Sequence, residues 1–234
     1  MSNYAYVATR ARSRRSRLLP AEAYNQLLNL EHAEIARYIQ DLEYRREIDR
    51  YGSTLSGADL IETALVDNLA KDVGDFLSFS KGKLRDILHV YAEKYRIENL
   101  KNIVRGINQN MDKQNLERLV CPINDSDKEL YNKLYDSKTV EDMVSSLEGT
   151  SYYNPLKKAL EARNSDSLQP LEDALDLIYY QNLVSNQPSG GADVEVYRDF
   201  VQLKVDIANI KTLLRMRHRG IGAHDELLIG GGTL

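Results

Sequence analysis

The sequence predicts an all-helical protein built from tandem helical-bundle repeats of about 110 residues. Leu occurs 32 times in 234 residues, whereas Gly occurs 13 times and Trp is absent, and this composition favours helices over sheets. Apolar residues recur at helical spacing along most of the chain, and strand-like alternation never extends beyond a few residues. The hydrophobic content of 42% and the charged content of 28% are typical of a globular protein and exclude wholesale disorder.

The first 20 residues form a basic arm on an acidic body. No Asp or Glu precedes Glu22, and five arginines lie between residues 10 and 17 of a chain whose net charge is −4. A transit peptide, a nucleic-acid-binding arm and an ordinary helix would all fit this pattern. We favour the helix, because Arg10, Arg14 and Arg17 then share one face, directed to solvent or to a partner. The segment lacks the apolar stretch of a secretory signal.

Residues 21–125 are predicted to form the first repeat. Ser56 and Asp59 have the spacing of a capping box, which places the start of a long helix just before Leu60. The expected elements, in chain order, are helical structure over 21–50, a break at 51–53, the long helix from Leu60, a turn at 80–83, and a helix from Leu84 to Val104 that ends at Gly106.

Residues 126–226 are predicted to form the second repeat, and 227–234 the beginning of a third. Thr139 and Asp142 have capping-box spacing ahead of a run of apolar residues. The other expected elements are a turn at 151–155, a helix from Leu171 to Leu183, a loop at 185–191 and a helix from Val196 to Met216.

A repeated motif supports this division. A shift of 110 residues brings the segment 97–105 onto 207–215, with four of nine positions identical, and brings 61–65 onto 171–175. Apolar residues at positions 1, 4, 7 and 8 of the longer motif form a buried stripe in both copies. The polar positions that recur are Asn99, Lys101 and Arg105 in the first copy, Asn209, Lys211 and Arg215 in the second, and Glu62 and Glu172 upstream.

The recurring charges suggest an ion pair inside each repeat. Glu62 precedes Arg105 by the same number of residues as Glu172 precedes Arg215. Our hypothesis is that Glu62 pairs with Arg105 and Glu172 with Arg215. The alternative is that all four side chains are solvated, in which case the pairs contribute almost nothing to stability.

No catalytic, cofactor-binding or metal-binding pattern is found in the sequence. The four histidines and Cys121 are scattered without zinc-ligand spacing, and a single Cys forms no internal disulfide. The nucleophile-elbow, dinucleotide-binding and phosphate-loop motifs do not occur, and the run Gly230–Gly232 lacks the Lys-Ser/Thr of a phosphate loop. We therefore predict a non-enzymatic protein without cofactor or metal.

Several of these segments resemble one known family. They are similar to segments of the C subunit of the archaeal A-type and bacterial V-type rotary ATPases. The similar segments are the opening Asn3–Val7 with the arginines that follow it, the element Leu147–Tyr152, and the repeated motifs at 97–105 and 207–215, which we call the closing motifs because each lies near the end of its repeat. The d subunit of the eukaryotic V-ATPase is a more distant likeness. The chain departs from the family at Ala8-Thr9, where an Asn-Ala pair is usual, and at Tyr44-Arg45, where the second repeat has Gly149-Thr150.

The resemblance implies an all-helical funnel of three similar bundles about a pseudo-threefold axis, of which this chain carries two and the stub at 227–234. It implies a non-catalytic central-stalk subunit of an A/V-type ATP synthase, serving ATP synthesis and hydrogen ion transport. Such a subunit is a socket that couples the rotary shaft, made of the D and F subunits, to the membrane proteolipid ring. We expect a peripheral location on the cytoplasmic face of the membrane, with no membrane span of its own and no nucleic acid as partner.

Two other functions fit the same residues. A helical-repeat adaptor unrelated to ATPases shares the repeats and the missing chemistry, but association with membranes would distinguish the two. A nucleic-acid-binding module that uses residues 10–17 would show steep salt dependence of binding to a duplex. Since a third repeat is missing, we also expect exposed apolar faces and self-association of the isolated chain.

Overall fold

The computed structural model describes residues 2–163, 167–186, 192–218, 220 and 228–233. These residues form helices and contain no strand, which confirms the predicted all-α fold. The helices are α1 (Tyr4–Arg15), α2 (Ala21–Leu27), α3 (His32–Gln40), α4 (Arg45–Tyr51), α5 (Gly57–Phe79), α6 (Lys83–Asn108), α7 (Lys113–Arg118), α8 (Asp125–Leu134), α9 (Val140–Ser145), α10 (Tyr153–Glu161), α11 (Gln169–Ser185) and α12 (Ala192–His218). The number of repeats stays a prediction.

The chain divides into two compact units. The first contains residues 1–85 and 112–131, and the second contains 86–111 and 132–234. The second unit thus includes most of α6, a helix that the sequence assigns to the first repeat. Contact-based units and sequence repeats are different divisions of a chain, and the predicted boundaries at 20, 125 and 226 remain predictions.

The core of the first unit lies where α3 and α4 pack against α5. Its buried members are small or branched apolar residues, and a ring of partly buried aliphatic and Tyr side chains surrounds them. They are Ala36, Ile39, Ile48, Leu60 and Ala64. The spacing of Leu60 and Ala64, one turn apart on α5, is the apolar stripe that directs this helix toward α3 and α4.

The second unit is more heavily buried. Leu100 of α6 is fully buried, and so are Ile103 and Val104, which follow it by three and four positions on the same face of the helix. Leu156 of α10 and Leu175 of α11 are also fully buried, and α10 packs against both α9 and α11. Burial of each such side chain contributes about 1.5–3 kcal/mol relative to exposure, so this unit holds the larger share of apolar stabilisation.

The predicted starts of α5 and α9 were correct, but only one of the two predicted capping boxes is present. The capping box at Thr139 is present in both directions, since Thr139 Oγ1 accepts from the Asp142 amide and Asp142 accepts from the Thr139 amide. Helix α5 begins after Ser56 as predicted, but the Ser56 side chain makes no capping hydrogen bond, so that capping box was wrong. Gly57 adopts φ +62° there, and the chain enters the helix through a left-handed residue instead.

Two other boundaries differ from the sequence-based expectation. The helical region at 21–50 is three short helices, and α3 has its own capping box in which Glu31 and Glu34 bond each other's backbone amides. Gly106 does not end α6, because this buried glycine lies inside the helix, which continues to Asn108. The left-handed residue is Asn110, and the Met111 amide donates back to the Gly106 carbonyl.

Part of the predicted detail lies outside the described residues. This applies to most of the loop at 185–191 and to 221–227, which includes the boundary between the second repeat and the stub. Short helices α7, α8 and α10 were not predicted from the sequence. Among the described helices, none is both long enough and apolar enough to cross a membrane.

Candidate interaction site on the second unit

Arg105 and Glu172 form the central ion pair of the second unit. Nε of Arg105 donates to Oε1 of Glu172 at 2.8 Å, and Nη2 donates to Oε2 at 2.9 Å. The two parallel bonds match the planar guanidinium to the carboxylate and give the pair a fixed geometry. This hydrogen bonding raises the pKa of the Arg105 guanidinium above its ordinary value.

A second ion pair lies one turn along the same helices. Nζ of Lys101 donates to Oδ1 of Asp176 at 2.6 Å, and the Lys101 side chain is only 7% exposed. Lys101 precedes Arg105 by one turn of α6, whereas Asp176 follows Glu172 by one turn of α11. The order of the two pairs shows that α6 and α11 run antiparallel where they meet.

These pairs correct the hypothesis of an ion pair inside each repeat. Arg105 bonds to Glu172 instead of Glu62. An arginine of the predicted first repeat is therefore paired with a carboxylate of the predicted second repeat. Glu62 is exposed on α5. The repeat correctly indicated that Arg105 and Glu172 form ion pairs, but periodicity alone does not distinguish a partner in the same repeat from one in the next.

Asn209 on α12 holds a segment of chain that follows the helix. Its Nδ2 donates to the carbonyl of Ile229 at 2.9 Å, and its Oδ1 accepts from the amide of the same residue at 2.8 Å. The Asn209 side chain therefore satisfies both backbone groups of Ile229. Asn99, its counterpart in the first copy, is equally buried on α6.

Asp206 holds the far end of the same segment, residues 228–233. Oδ1 of Asp206 accepts from the Thr233 amide at 2.9 Å, and Oδ2 accepts from the Thr233 hydroxyl at 2.5 Å. A Cβ on Gly232 would overlap Oδ1 of Asp206, and one on Gly231, where φ is +98°, would lie 2.9 Å from Cγ1 of Val184. Gly231 and Gly232 are thus glycines at positions where the backbone closely approaches side chains.

The remaining residues of the second closing motif are solvent-exposed. Lys211 and Arg215 lie one turn apart on α12, and both are exposed. Within the ranges that the structure describes, neither forms an ion pair. Lys211 and Arg215 thus lack the direct ion pairs that Lys101 and Arg105 form, although the Arg215 charge opposes the rise that burial causes in the pKa of Asp173 on α11.

Tyr152 links the predicted opening element of the second repeat to α6. Its hydroxyl donates to Oε1 of Glu93, and Arg96 bonds the other oxygen of that carboxylate at 2.9 Å. Burial, followed by the neighbouring Glu93 charge, raises the pKa of Tyr152. The side chain is a buried hydrogen-bond donor that stays protonated.

The predicted partner-facing arginines make contacts within the first unit. Arg14 bonds Asp72 at 2.5 Å and Asp75 at 2.6 Å, and its guanidinium lies 5.1 Å from the centre of the Phe76 ring. Arg10 lies 5.6 Å from the centre of the Phe79 ring, and Arg17 forms an exposed ion pair with Glu43. Helix α1 is thereby attached to its unit, and the partner-facing role stays a prediction.

The single cysteine has no features of a reactive group. Cys121 lies beside Asp67 and is partly buried, and burial, followed by the Asp67 charge, raises the pKa of its thiol to about 12. A thiol that stays protonated is a weak nucleophile. Over the described ranges, no group of three His, Cys, Asp or Glu side chains is placed to hold a metal ion.

Specific polar contacts join the elements of the second unit. They are a bidentate ion pair, an ion pair between the buried Lys101 and the partly exposed Asp176, and a clamp on the backbone of Ile229. Comparison with known families then decides the assignment, since a family model described as "ATP synthase (C/AC39) subunit" matches residues 7–234.

This chain belongs to the ATP synthase (C/AC39) subunit family.

Individual relatives of the ATP synthase (C/AC39) family cover nearly the whole chain. The A-type ATP synthase C subunit of Archaeoglobus fulgidus is 36% identical over 214 residues, which are 92% of this chain and 61% of the relative. The corresponding C subunits of Haloferax volcanii and Methanosarcina mazei are 35% and 34% identical over 100% and 99% of the chain, and 67% and 64% of their own lengths. The chain thus spans roughly three fifths to two thirds of these relatives.

Proposed function

We propose that this chain acts as a non-catalytic central-stalk subunit of an A-type ATP synthase. In this role it is a socket between the rotary shaft, formed by the D and F subunits, and the membrane proteolipid ring. The observation that carries the proposal is the family match over residues 7–234, together with relatives named as the C subunit of A-type ATP synthases. The complex would use the socket to couple ion flow to ATP synthesis, or ATP hydrolysis to ion transport.

The internal structure is consistent with a part that transmits force. Torque requires that helices keep their relative positions under load, and the bidentate Arg105–Glu172 pair and the Lys101–Asp176 pair join α6 to α11 at two points one turn apart. Two attachment points resist rotation of one helix against the other better than one does. We further propose a peripheral location on the cytoplasmic face of the membrane, as the resemblance to central-stalk subunits implies.

The proposal is tested by affinity capture of the tagged protein from detergent-solubilised membranes, followed by mass spectrometry of the retained proteins. We expect the shaft subunits, the proteolipid and the catalytic subunits. Capture of soluble proteins alone would contradict the ATPase assignment and favour a helical-repeat adaptor.

Paired variants of the bait test the partner-facing role of helix α1. Arg10→Ala with Arg17→Ala removes two of the predicted partner-facing charges, and Arg12→Ala with Arg15→Ala removes two other exposed charges from the same helix. We expect a selective loss of captured complex with the first pair. Equal capture by both pairs would show that Arg10 and Arg17 serve only the internal contacts of the first unit.

A further inference from the structure

Helix α11 carries three carboxylates within little more than one turn, and they have different partners. Two of them, Glu172 and Asp176, bond the arginine and the lysine that α6 directs toward α11. The third, Asp173, forms no ion pair within the described ranges and is bonded by a neutral group. Its Oδ1 accepts from Nε2 of Gln169, one turn earlier on the same helix, at 2.6 Å.

Charges from α6, α11 and α12 act on the partly buried Asp173. Burial raises the pKa of Asp173, and the hydrogen bond from Gln169 opposes that rise. Among the neighbouring charges, Asp176 raises this pKa further, whereas Arg215 of α12 and Lys101 of α6 lower it. Lys101 is already bonded to Asp176. Arg215 is therefore the cation whose position can depend on the charge of Asp173.

The other charged side chains on the helices around this part of α11 are solvent-exposed, including those of α10, which also packs against α11. They are Glu98 of α6, Lys157, Lys158 and Glu161 of α10, and Lys211 of α12. None of them is among the charges that act most strongly on Asp173. The electrostatic link from α11 to α12 is thus the one between Asp173 and Arg215.

We propose that Asp173 is a proton-sensitive contact between α11 and α12, which attracts Arg215 when the carboxyl is ionised and releases it when the carboxyl is protonated. The bond from Gln169 persists in both states, because a protonated carboxyl keeps an oxygen that accepts. The ion pairs between α6 and α11 do not involve Asp173 and persist as well. Only the attachment of the C-terminal half of α12 therefore responds to the proton. The proposal does not depend on the proposed function.

The first test is the titration of the Asp173 carboxyl in the full chain, followed by NMR of its labelled side-chain carbon. Asp173→Asn identifies the signal by its disappearance. Arg215→Gln should shift the titration midpoint to higher pH, because the cation that favours the ionised form is removed. Arg217→Gln removes the same charge from an exposed position on the same helix and should leave the midpoint unchanged.

The reciprocal test measures hydrogen exchange on α12. Amides between residues 207 and 216 should exchange about two- to fivefold faster below the midpoint than above it, after correction for the intrinsic pH dependence of exchange, as expected for the loss of one solvent-screened charge pair. Asp173→Asn is neutral at every pH and should show the faster exchange throughout. Asp199→Asn, which changes an exposed carboxylate elsewhere on α12, should behave like the wild type. Global stability is not the readout, because protonation also relieves the burial of the Asp173 charge.

Three results would overturn the proposal. The first is an equal midpoint in the wild type and in Arg215→Gln, since Arg215 would then not act on Asp173. The second is an equal shift in Arg215→Gln and Arg217→Gln, which would mean a response to net charge only. The third is equal exchange on α12 in the wild type and in Asp173→Asn at neutral pH, since α12 would then be held without this contact.

Discussion

An asparagine side chain holds a terminal region of the chain in each unit, and the two regions differ in everything else. Asn3 donates to the Phe79 carbonyl at 2.8 Å and accepts from the Lys81 amide at 2.9 Å, which attaches α1 to the end of α5. Asn209 makes the matching pair of bonds, at 2.9 and 2.8 Å, to the single residue Ile229. In both regions a primary amide replaces the backbone partner that an irregular segment lacks.

The difference is in what supports each amide. Helix α1 is also held by the Arg14 ion pairs and by stacking of Arg14 on Phe76. The 228–233 segment is held by the neutral amide and hydroxyl of Thr233, which donate to the Asp206 carboxylate, and by the absence of side chains at Gly231 and Gly232. The first attachment therefore depends on ion pairs, and the second on neutral donors and on shape. The amides of Lys81, Ile229 and Thr233 are natural hydrogen-exchange reporters of the two regions.

The largest effect is expected from Gly232→Ala. The new methyl group would overlap Oδ1 of Asp206, so the 228–233 segment must move away, at a cost of about 3 kcal/mol. Hydrogen exchange should accelerate at Thr233 and Ile229 and stay unchanged at Lys81. Gly230→Ala is the matched control, because nothing lies within 4 Å of its Cβ position. Retained protection at Thr233 in the Gly232 variant would contradict the structure of the segment.

The next largest effect is expected from Asn209→Ala. The substitution leaves both the amide and the carbonyl of Ile229 without their partner, at a cost of about 2 kcal/mol. Exchange at Ile229 should accelerate more than exchange at Thr233, which Asp206 still holds. Asn3→Ala gives the corresponding loss at Lys81. If the Asn209 variant exposes both amides equally, the two contacts act as one unit.

A smaller effect is expected from Arg14→Ala. The side chain is 25% exposed and both of its carboxylates are partly solvated, so we expect a loss of about 1 kcal/mol in the free energy of unfolding, measured by urea denaturation. Arg15→Ala, an exposed residue of the same helix, should change stability little. High salt should weaken protection at Lys81 in the wild type and leave Ile229 unaffected. An equal salt response of both amides would remove this distinction between the two attachments.

The smallest effect concerns pH. Burial raises the pKa of Asp72 in the folded protein, and the Arg14 charge opposes that rise. The folded carboxyl thus binds its proton more readily than the unfolded one, so its contribution to stability grows as pH falls through the window between the raised pKa and the ordinary value of 3.8. Asp72→Asn should reduce the change in the free energy of unfolding over this pH window, by less than about 0.5 kcal/mol. An unchanged slope with Asp72→Asn would contradict the assignment.

Much of the fold could be predicted because the deciding interactions are local. The Thr139 capping box, the start of α5 and the helical ranges of α11 and α12 depend on residues within a few positions of each other. Gly106 shows the limit of such reasoning. A glycine signals a helix end by local propensity, but here it is buried inside α6, and tertiary packing overrides the signal.

The residues of the candidate site could be predicted from the sequence only where they belong to the repeated motif. The shift of 110 residues singled out Asn209, Arg105 and Glu172, all of which make specific contacts. Asp206 lacked a signal of this kind, because its partner Thr233 lies 27 residues away and nothing local indicates the pairing. The prediction of a buried apolar stripe in both copies was correct on α6 but wrong on α12, where Ile207, Ile210, Leu213 and Leu214 are between 38% and 61% exposed. The motif specifies an apolar face, but the neighbouring elements determine whether that face is buried.

The Asn209 clamp has a consequence for register. It binds the amide and carbonyl of one residue and makes no use of the side chain at position 229, so the clamp itself excludes only proline there. A slip that brings Thr233 to the site of Gly232 is excluded, because Asp206 leaves no room for a Cβ there. A slip in the other direction would put Gly232 in the place of Thr233 and remove the hydroxyl that donates to Asp206. Gly232 and the Thr233 hydroxyl together thus fix the alignment of the segment on α12.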